Sequence, residues 1–174
     1  GLKIKINCVP IKGINDIDLI EVLDFCKSKG YVVRFIEFME NNHAKDGAKG
    51  LNSDEIKAII ATKYPDFKIV PRDNSSPAQY YEIEGGFQFG IIEPHKDDFC
   101  AACNRIRLTA EGFLIPCLYF EDAMSIKDAV RSNNIDEAVA ILKKVLAGKP
   151  EKNKWSNQED DNKISTRAFY QTGG

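Results

Sequence analysis

The most constraining feature of this sequence is a strand, helix, strand pattern at its start. Residues 2–8 alternate apolar and polar side chains, which predicts a strand. Residues 16–29 space their apolar side chains as a helix does, and Gly30 follows as a C-terminal stop. Residues 31–39 are rich in β-branched and aromatic side chains, which predicts a second strand parallel to the first. The apolar face of the first strand comprises Leu2, Ile4, Ile6 and Cys8. The pattern predicts the α/β class.

Further helices and a more β-rich region are predicted along the rest of the chain. Asn52 or Ser53 caps a helix that runs to about Lys63, with Asp54 and Glu55 adding negative charge to its first turn. Short strands are predicted at residues 67–70, 79–83 and 87–92, and helices at residues 125–130 and 134–147. From residue 149 onward the chain is polar and charged, with no periodicity.

The charge balance excludes several classes of partner. Lys and Arg total 24 against 26 Asp and Glu, a formal net charge of -2, so no global positive field exists to bind nucleic acid. No apolar run of about 18 residues predicts a membrane span, and residues 1–9 do not resemble a secretory signal. We therefore expect a cytoplasmic protein without nucleic-acid or membrane partners. Because a core-quality strand begins at residue 2, we also expect that preceding structure is missing.

Three of the five cysteines have metal-ligand spacing. Cys100 and Cys103 are separated by two residues, and Cys117 follows after thirteen more. Three thiolates could hold an iron–sulfur cluster with one iron open to substrate. They could equally form a structural zinc site completed by His95 or Asp98. The spacing alone leaves both interpretations open.

The other two cysteines and the two histidines carry weaker signals. Cys8 and Cys26 lie on apolar faces of predicted elements, where a free cysteine behaves as a small hydrophobic residue, so we expect both in the core. His43 lies in a polar loop and His95 precedes the cysteine block. We expect both histidines at the surface.

Two pairs of basic residues are candidates for anion binding. Arg105 and Arg107 directly follow Cys103, and in an extended chain they project to the same side. Their guanidinium groups suit phosphate, carboxylate or guanine edges, although a solvated strand face would carry the same pair. Lys5 and Arg34 lie on the two parallel strands. They mark a phosphate site if both face an enclosed interior and have no such role if those faces are exposed.

Five motifs together resemble one family. They are KIKINCVPIKGIND, VVRFIEFM, FGIIEP, FCAACNRIRLTAEGFLIPCL and the terminal GG. In this order, and over nearly the whole chain, they resemble the GTP 3',8-cyclase family of radical S-adenosylmethionine enzymes, the molybdenum cofactor biosynthesis protein A family. The cysteine block is the most specific of the five. The resemblance makes the zinc site the minor alternative.

The resemblance implies roles for the candidate residues. It implies that Cys100, Cys103 and Cys117 hold an auxiliary 4Fe-4S cluster whose open iron binds the guanine of GTP. Arg105 and Arg107 match substrate-contacting arginines of the family. No catalytic residue is assigned.

Less specific matches extend the implied site. Lys5 and Arg34 match basic positions that line the family's barrel near the triphosphate and S-adenosylmethionine, with Lys5 on the substrate side. Gly173 and Gly174 match a tail that enters the active site. A departure occurs at Glu40, where the family usually has proline, which puts the following turn in doubt.

The resemblance also implies an architecture. Residues 1–66 would form the second half of a partial (β/α) barrel. Residues 67–148 would form a β-rich C-terminal iron–sulfur region with short helices, and residues 149–174 a polar tail. The edge beside the first strand should be exposed or covered by another copy, and a homodimer is expected.

One departure from the family is large. Its CxxxCxxC motif, which holds the cluster that cleaves S-adenosylmethionine, is absent, because successive cysteines are 18, 74, 3 and 14 positions apart. The full-length enzyme would use a 5'-deoxyadenosyl radical, generated from S-adenosylmethionine at a second 4Fe-4S cluster, to cyclise GTP. Its product would be the cyclised precursor of cyclic pyranopterin monophosphate, and a downstream protein of molybdenum cofactor biosynthesis is an expected partner. We expect this chain to be the substrate-binding half and inactive alone. The alternative is a zinc-stabilised, non-catalytic binding module.

Overall fold

A computed structural model describes residues 1–39, 47–72, 76–101, 103–118 and 121–149. The chain divides into two compact units, and among these residues the first unit ends at residue 101 and the second begins at Cys103. The first unit is an α/β structure, and the second is a small β-sheet with two helices. The three-part division expected from the family resemblance stays a prediction.

The first unit is built on a mixed five-stranded sheet. Its strands are β1 (Lys5–Cys8), β2 (Val32–Ile36), β3 (Lys68–Ile69), β4 (Ala78–Ile83) and β5 (Phe87–Ile92). The order is β1-β2-β5-β4-β3, with β1, β2 and β5 parallel and β5, β4 and β3 antiparallel. The predicted parallel pairing is confirmed, since Lys5 aligns with Val32 and Cys8 with Phe35.

The two longer helices of the first unit are confirmed with small shifts, since the one predicted over residues 16–29 begins at Leu19 and the one predicted to run to about Lys63 ends at Ala61. Helix α1 (Leu19–Lys29) follows a short 3₁₀ turn and ends at Gly30, whose φ of 67° is left-handed. Helix α2 (Ser53–Ala61) begins at the N-cap Asn52, whose side chain forms a capping box with Glu55. A third, short helix, α3 (Asp97–Ala101), carries Cys100. Both longer helices were predicted from local pattern and capping residues.

One face of the sheet forms the apolar core of the first unit. Phe35 and Phe89 are fully buried in one cluster with Leu23 of α1 and Ile56 of α2. Tyr81 stacks on Phe89 with ring centroids 5.3 Å apart. Burial of these large side chains is the main stabilising contribution to the unit.

The first strand is shorter than expected. Leu2 is 95% exposed and Ile4 is 41% exposed, so the expected apolar face of four residues is reduced to Ile6 and Cys8, which pack against the core. The ladder with β2 starts only at Lys5, and residues before it lack a covering element among the described residues. Cys26 is fully buried, as expected for a core cysteine.

The second unit is a small antiparallel sheet with two helices. Its elements are β6 (Arg107–Leu108), β7 (Phe113–Ile115), β8 (Met124–Ser125), α4 (Lys127–Arg131) and α5 (Ile135–Ala147). Gly112, with φ of 87°, lies in the turn between β6 and β7. Asn134 caps α5 by accepting from the Glu137 N–H. The two predicted C-terminal helices are confirmed.

No helix in the described ranges is both long and apolar enough to cross a membrane.

Candidate metal and substrate site

The second unit surrounds the Cys103 thiol with positive charge. Its Sγ accepts hydrogen bonds from the Lys149 ammonium, at 3.4 Å, and from the backbone N–H of Arg105. Burial raises the pKa of the Cys103 thiol, but these donors and the nearby cations outweigh it, so the pKa lies below its ordinary value. A lowered pKa favours the thiolate, which is the form that binds metals.

Cys117 lies on the adjoining segment of the same unit. It follows β7, whose Ile115 pairs with Arg107 of β6. Burial is the main factor that lowers the pKa of the Arg107 guanidinium, and Arg105 adds to it, whereas the thiols of Cys117 and Cys103 oppose the shift. Arg107 therefore lies within electrostatic reach of both thiols.

The two predicted substrate-contacting arginines lie next to each other at the start of β6. Arg105 precedes β6 and Arg107 begins it, and both side chains are half-buried. The structure thus brings Cys103, Cys117 and both arginines into one unit. Thiolates next to planar cations can bind a soft metal together with an anionic or base-bearing ligand.

Lys149 is a site residue that sequence reasoning missed. Its ammonium donates to the Arg105 carbonyl at 2.7 Å and to the Pro116 carbonyl at 3.0 Å, in addition to Cys103. The sequence places it at the start of a polar tail, directly after Gly148. Nothing in its local pattern distinguishes it from a surface lysine, so only the fold identifies it.

The third predicted ligand lies in the other unit. Cys100 is half-buried on α3. Across the described ranges, no group of three or more His, Cys, Asp or Glu side chains is placed so that it could hold a metal ion. The three-cysteine metal site therefore stays a prediction.

The residues proposed to complete a zinc site receive no structural support. His95 is exposed, as expected, and its Nε2 lies 2.9 Å from the Phe38 carbonyl oxygen. The Asp98 side chain lies outside the described part of the molecule. His43, Glu40 and the terminal Gly173 and Gly174 also lie outside the described residues. The expectations for them stay predictions.

The second basic pair lies on the sheet face opposite the core of the first unit. Arg34 Nε donates to Asn7 Oδ1 at 2.9 Å, and Lys5 shares the Asn7 side of β1. Lys5 is exposed and Arg34 is half-buried, so only the arginine has a partly enclosed setting. The two cations therefore share a face of the sheet, but the exposure of Lys5 gives no support for a binding site at that residue.

Gly90 provides space for Arg34, a role that the sequence did not reveal. A Cβ on Gly90 would lie 3.2 Å from Arg34 Cγ and 3.1 Å from Tyr80 Cε1. Both contacts are tighter than normal packing allows. The glycine in β5 therefore leaves room for the stem of Arg34, its partner residue on β2.

A buried carboxylate was also missed. Glu37 follows β2, is 9% exposed, and lines a cleft of about 400 Å³ with Lys12, Lys49 and His95. Its Oε1 accepts from the Ser53 N–H at the start of α2, at 2.7 Å. Burial raises the pKa of the Glu37 carboxyl despite this hydrogen bond.

These features define a class of protein. The first unit has an α/β fold, and thiol and guanidinium groups lie close together in the small C-terminal unit. Residues 31–155 match the model of the family described as Molybdenum Cofactor Synthesis C. The chain belongs to this family, and the resemblance found from the sequence motifs is confirmed.

Three similar proteins carry the same name. A protein named GTP 3',8-cyclase from Aliarcobacter butzleri (strain RM4018) is 83% identical over all 174 residues, which cover 54% of that relative. Proteins of the same name from Campylobacter fetus and from a Sulfurovum species are 54% and 49% identical, again over the whole of this chain and 53% and 54% of theirs. The chain spans about half the length of the curated relatives it matches.

Proposed function

We propose that this chain is the substrate-binding part of a GTP 3',8-cyclase of molybdenum cofactor biosynthesis. The observation that carries the proposal is the grouping of Cys103 and Cys117 with Arg105 and Arg107 in the second unit. The family match and the shared name of the relatives supply the reaction.

In this proposal, Cys100, Cys103 and Cys117 hold a 4Fe-4S cluster. The donor chemistry fits, because soft thiolates are the ligands of such clusters and the surroundings of Cys103 lower its pKa. A cluster held by three cysteines supplies, when bound, an open coordination position for the guanine of GTP. Arg105 and Arg107 then orient the nucleotide through forked hydrogen bonds to the base or its phosphates.

The first unit contributes the phosphate-facing groups. Arg34, which lies over Gly90 and donates a hydrogen bond to Asn7, offers positive charge to the triphosphate or to the carboxylate of S-adenosylmethionine, and the exposed Lys5 offers positive charge to the triphosphate. In the whole protein this sheet is one half of a (β/α) barrel.

The remainder of the whole protein supplies the radical chemistry. S-adenosylmethionine and a second 4Fe-4S cluster bind there, since the 174 residues hold no other spaced set of cysteines. The whole protein is a cytoplasmic homodimer, and its product is consumed by a later protein of the pathway. This chain by itself binds GTP without converting it.

The first arm of the test is metal loading. Anaerobic reconstitution with iron and sulfide should give about four irons per chain and a broad visible charge-transfer band. Cys100→Ala, Cys103→Ala and Cys117→Ala should each lower iron loading, whereas the matched controls Cys8→Ala and Cys26→Ala should not. One zinc without sulfide would instead support the binding module. Unchanged iron in all three variants would overturn the ligand assignment.

The second arm is calorimetric titration of the reconstituted chain with GTP. Arg105→Ala and Arg107→Ala should each weaken binding by about ten- to a hundredfold, the usual cost of losing a hydrogen bond to a charged group. Binding should also weaken with added salt. Unchanged affinity in both variants would remove the arginines from the site, and cyclised product from the chain alone would contradict its role as a binding part.

A further inference from the structure

Lys149 uses all of its hydrogen-bonding capacity inside the second unit. Its three ammonium donors have three acceptors: the Arg105 carbonyl at 2.7 Å, the Pro116 carbonyl at 3.0 Å and Cys103 Sγ at 3.4 Å. The side chain is half-buried, so these contacts are partly shielded from water. A solvated lysine head group would not be ordered in this way.

The three acceptors come from two separate chain segments. One segment runs from Cys103 into β6, and the other leaves β7 towards Cys117. The β6–β7 ladder holds them together through two residue pairs, Arg107 with Ile115 and Leu108 with Leu114. Lys149 adds a connection just beyond this ladder, on the side away from the turn at Gly112.

Helix α5 delivers the lysine to this position. Val145, in the last turn of the helix, is buried, and α5 packs against β7 and β8. The backbone N–H groups of Gly148 and Lys149 bond to the carbonyls of Lys144 and Leu146, which ends the helix compactly. The ammonium therefore comes from an anchored element.

We propose that Lys149 is a positioning residue that joins the Cys103 and Cys117 segments and places a fixed cation beside the cluster they hold. Its role at the cluster rests on the proposed function, because that function makes both cysteines ligands. The bridge between the segments rests on the hydrogen bonds alone. Nothing in the resemblance or the family match assigns this residue a role.

The test compares Lys149→Met with the matched control Lys144→Met, which removes an exposed lysine from the last turn of α5. In the metal-free chain, Lys149→Met should accelerate amide hydrogen exchange about tenfold at residues 103–108 and 113–117. The control should leave these segments unchanged. Equal exchange in the two variants would overturn the bridge, whatever metal the chain binds.

The charge is tested on the iron-loaded chain. Loss of a cation beside a thiolate ligand should make the midpoint potential of the cluster more negative, because the reduced cluster carries more negative charge. Lys149→Gln, a second neutral variant, should shift the potential in the same direction if Lys149→Met folds poorly. A potential equal to that of Lys144→Met would overturn the positioning role. If Cys103→Ala does not lower iron loading, the proposed function is contradicted. The hydrogen-exchange result in the metal-free chain still decides whether Lys149 joins the two segments.

Discussion

The two units differ in what holds them together. The first has a continuous apolar cluster to which both long helices and the central strands contribute, with Phe35 and Phe89 at its centre. In the described part of the second, the buried aliphatic side chains are Leu114, Ile115, Pro116, Ala129 and Val145. A polar network of Lys149, two backbone carbonyls and the Cys103 thiol lies beside them. A small apolar core needs other cross-links, and metal ligation is one that such units use.

The largest effect that would test this difference comes from removing one aromatic ring from each unit. Phe35→Ala should lower the free energy of unfolding of the metal-free chain by about 3–5 kcal/mol, because it leaves a cavity in a closed core. Phe113→Ala in β7, whose side chain is 41% exposed, should cost about 1 kcal/mol or less. Urea unfolding followed by circular dichroism measures both. Equal losses would show that the second unit is packed as tightly as the first.

Iron loading should produce the next largest effect, in the second unit and at Cys100 of α3 but not in the central strands of the first unit. With iron at about a hundredfold excess over its dissociation constant, the gain in stability should be about 2.7 kcal/mol. Hydrogen exchange should therefore slow at residues 103–118 while β2 and β5 keep their metal-free rates. Cys117→Ala should abolish the gain. Equal slowing in the first-unit strands would contradict the contrast between the units.

Local sequence patterns were sufficient for most of the first unit. The alternation in β1, the helical spacing of α1 and the cap at Asn52 are each determined by residues close together in the chain. The pattern was wrong about the start of the first strand, since alternation marks a face but does not provide a partner for Leu2. Burial depends on tertiary contacts that a local pattern does not contain.

The candidate functional residues also include some that the local sequence could predict and some that it could not. Cys103, Arg105 and Arg107 could be predicted because their chemistry is concentrated in one short segment. Lys149 and Glu37 could not, since each acquires its role from groups that the fold brings to it from distant segments. A lysine before a polar tail and a glutamate after a strand are common surface residues.

The smallest predicted effect concerns Glu37, a buried carboxylate of the first unit. Burial raises its pKa, although the Ser53 N–H, His95 and Lys96 oppose that shift. The folded state therefore binds the proton more tightly than the unfolded state does. This contribution to stability is complete below the unfolded pKa and is lost as the pH rises through the folded pKa.

Glu37→Gln keeps a carbonyl oxygen that can accept from Ser53 but cannot ionise. The variant should match the parent chain near pH 4 and become more stable than it as the pH rises to 7, by less than about 1 kcal/mol. Urea unfolding of both proteins across this range isolates the titration of one group, because every other carboxyl is shared. A difference that stays constant with pH would mean that the carboxylate is not penalised by burial. If the parent chain instead became more stable than the variant as the pH approached neutral, the ionised carboxylate would stabilise the unit. The first unit would then depend on a buried charge as well as on its apolar core.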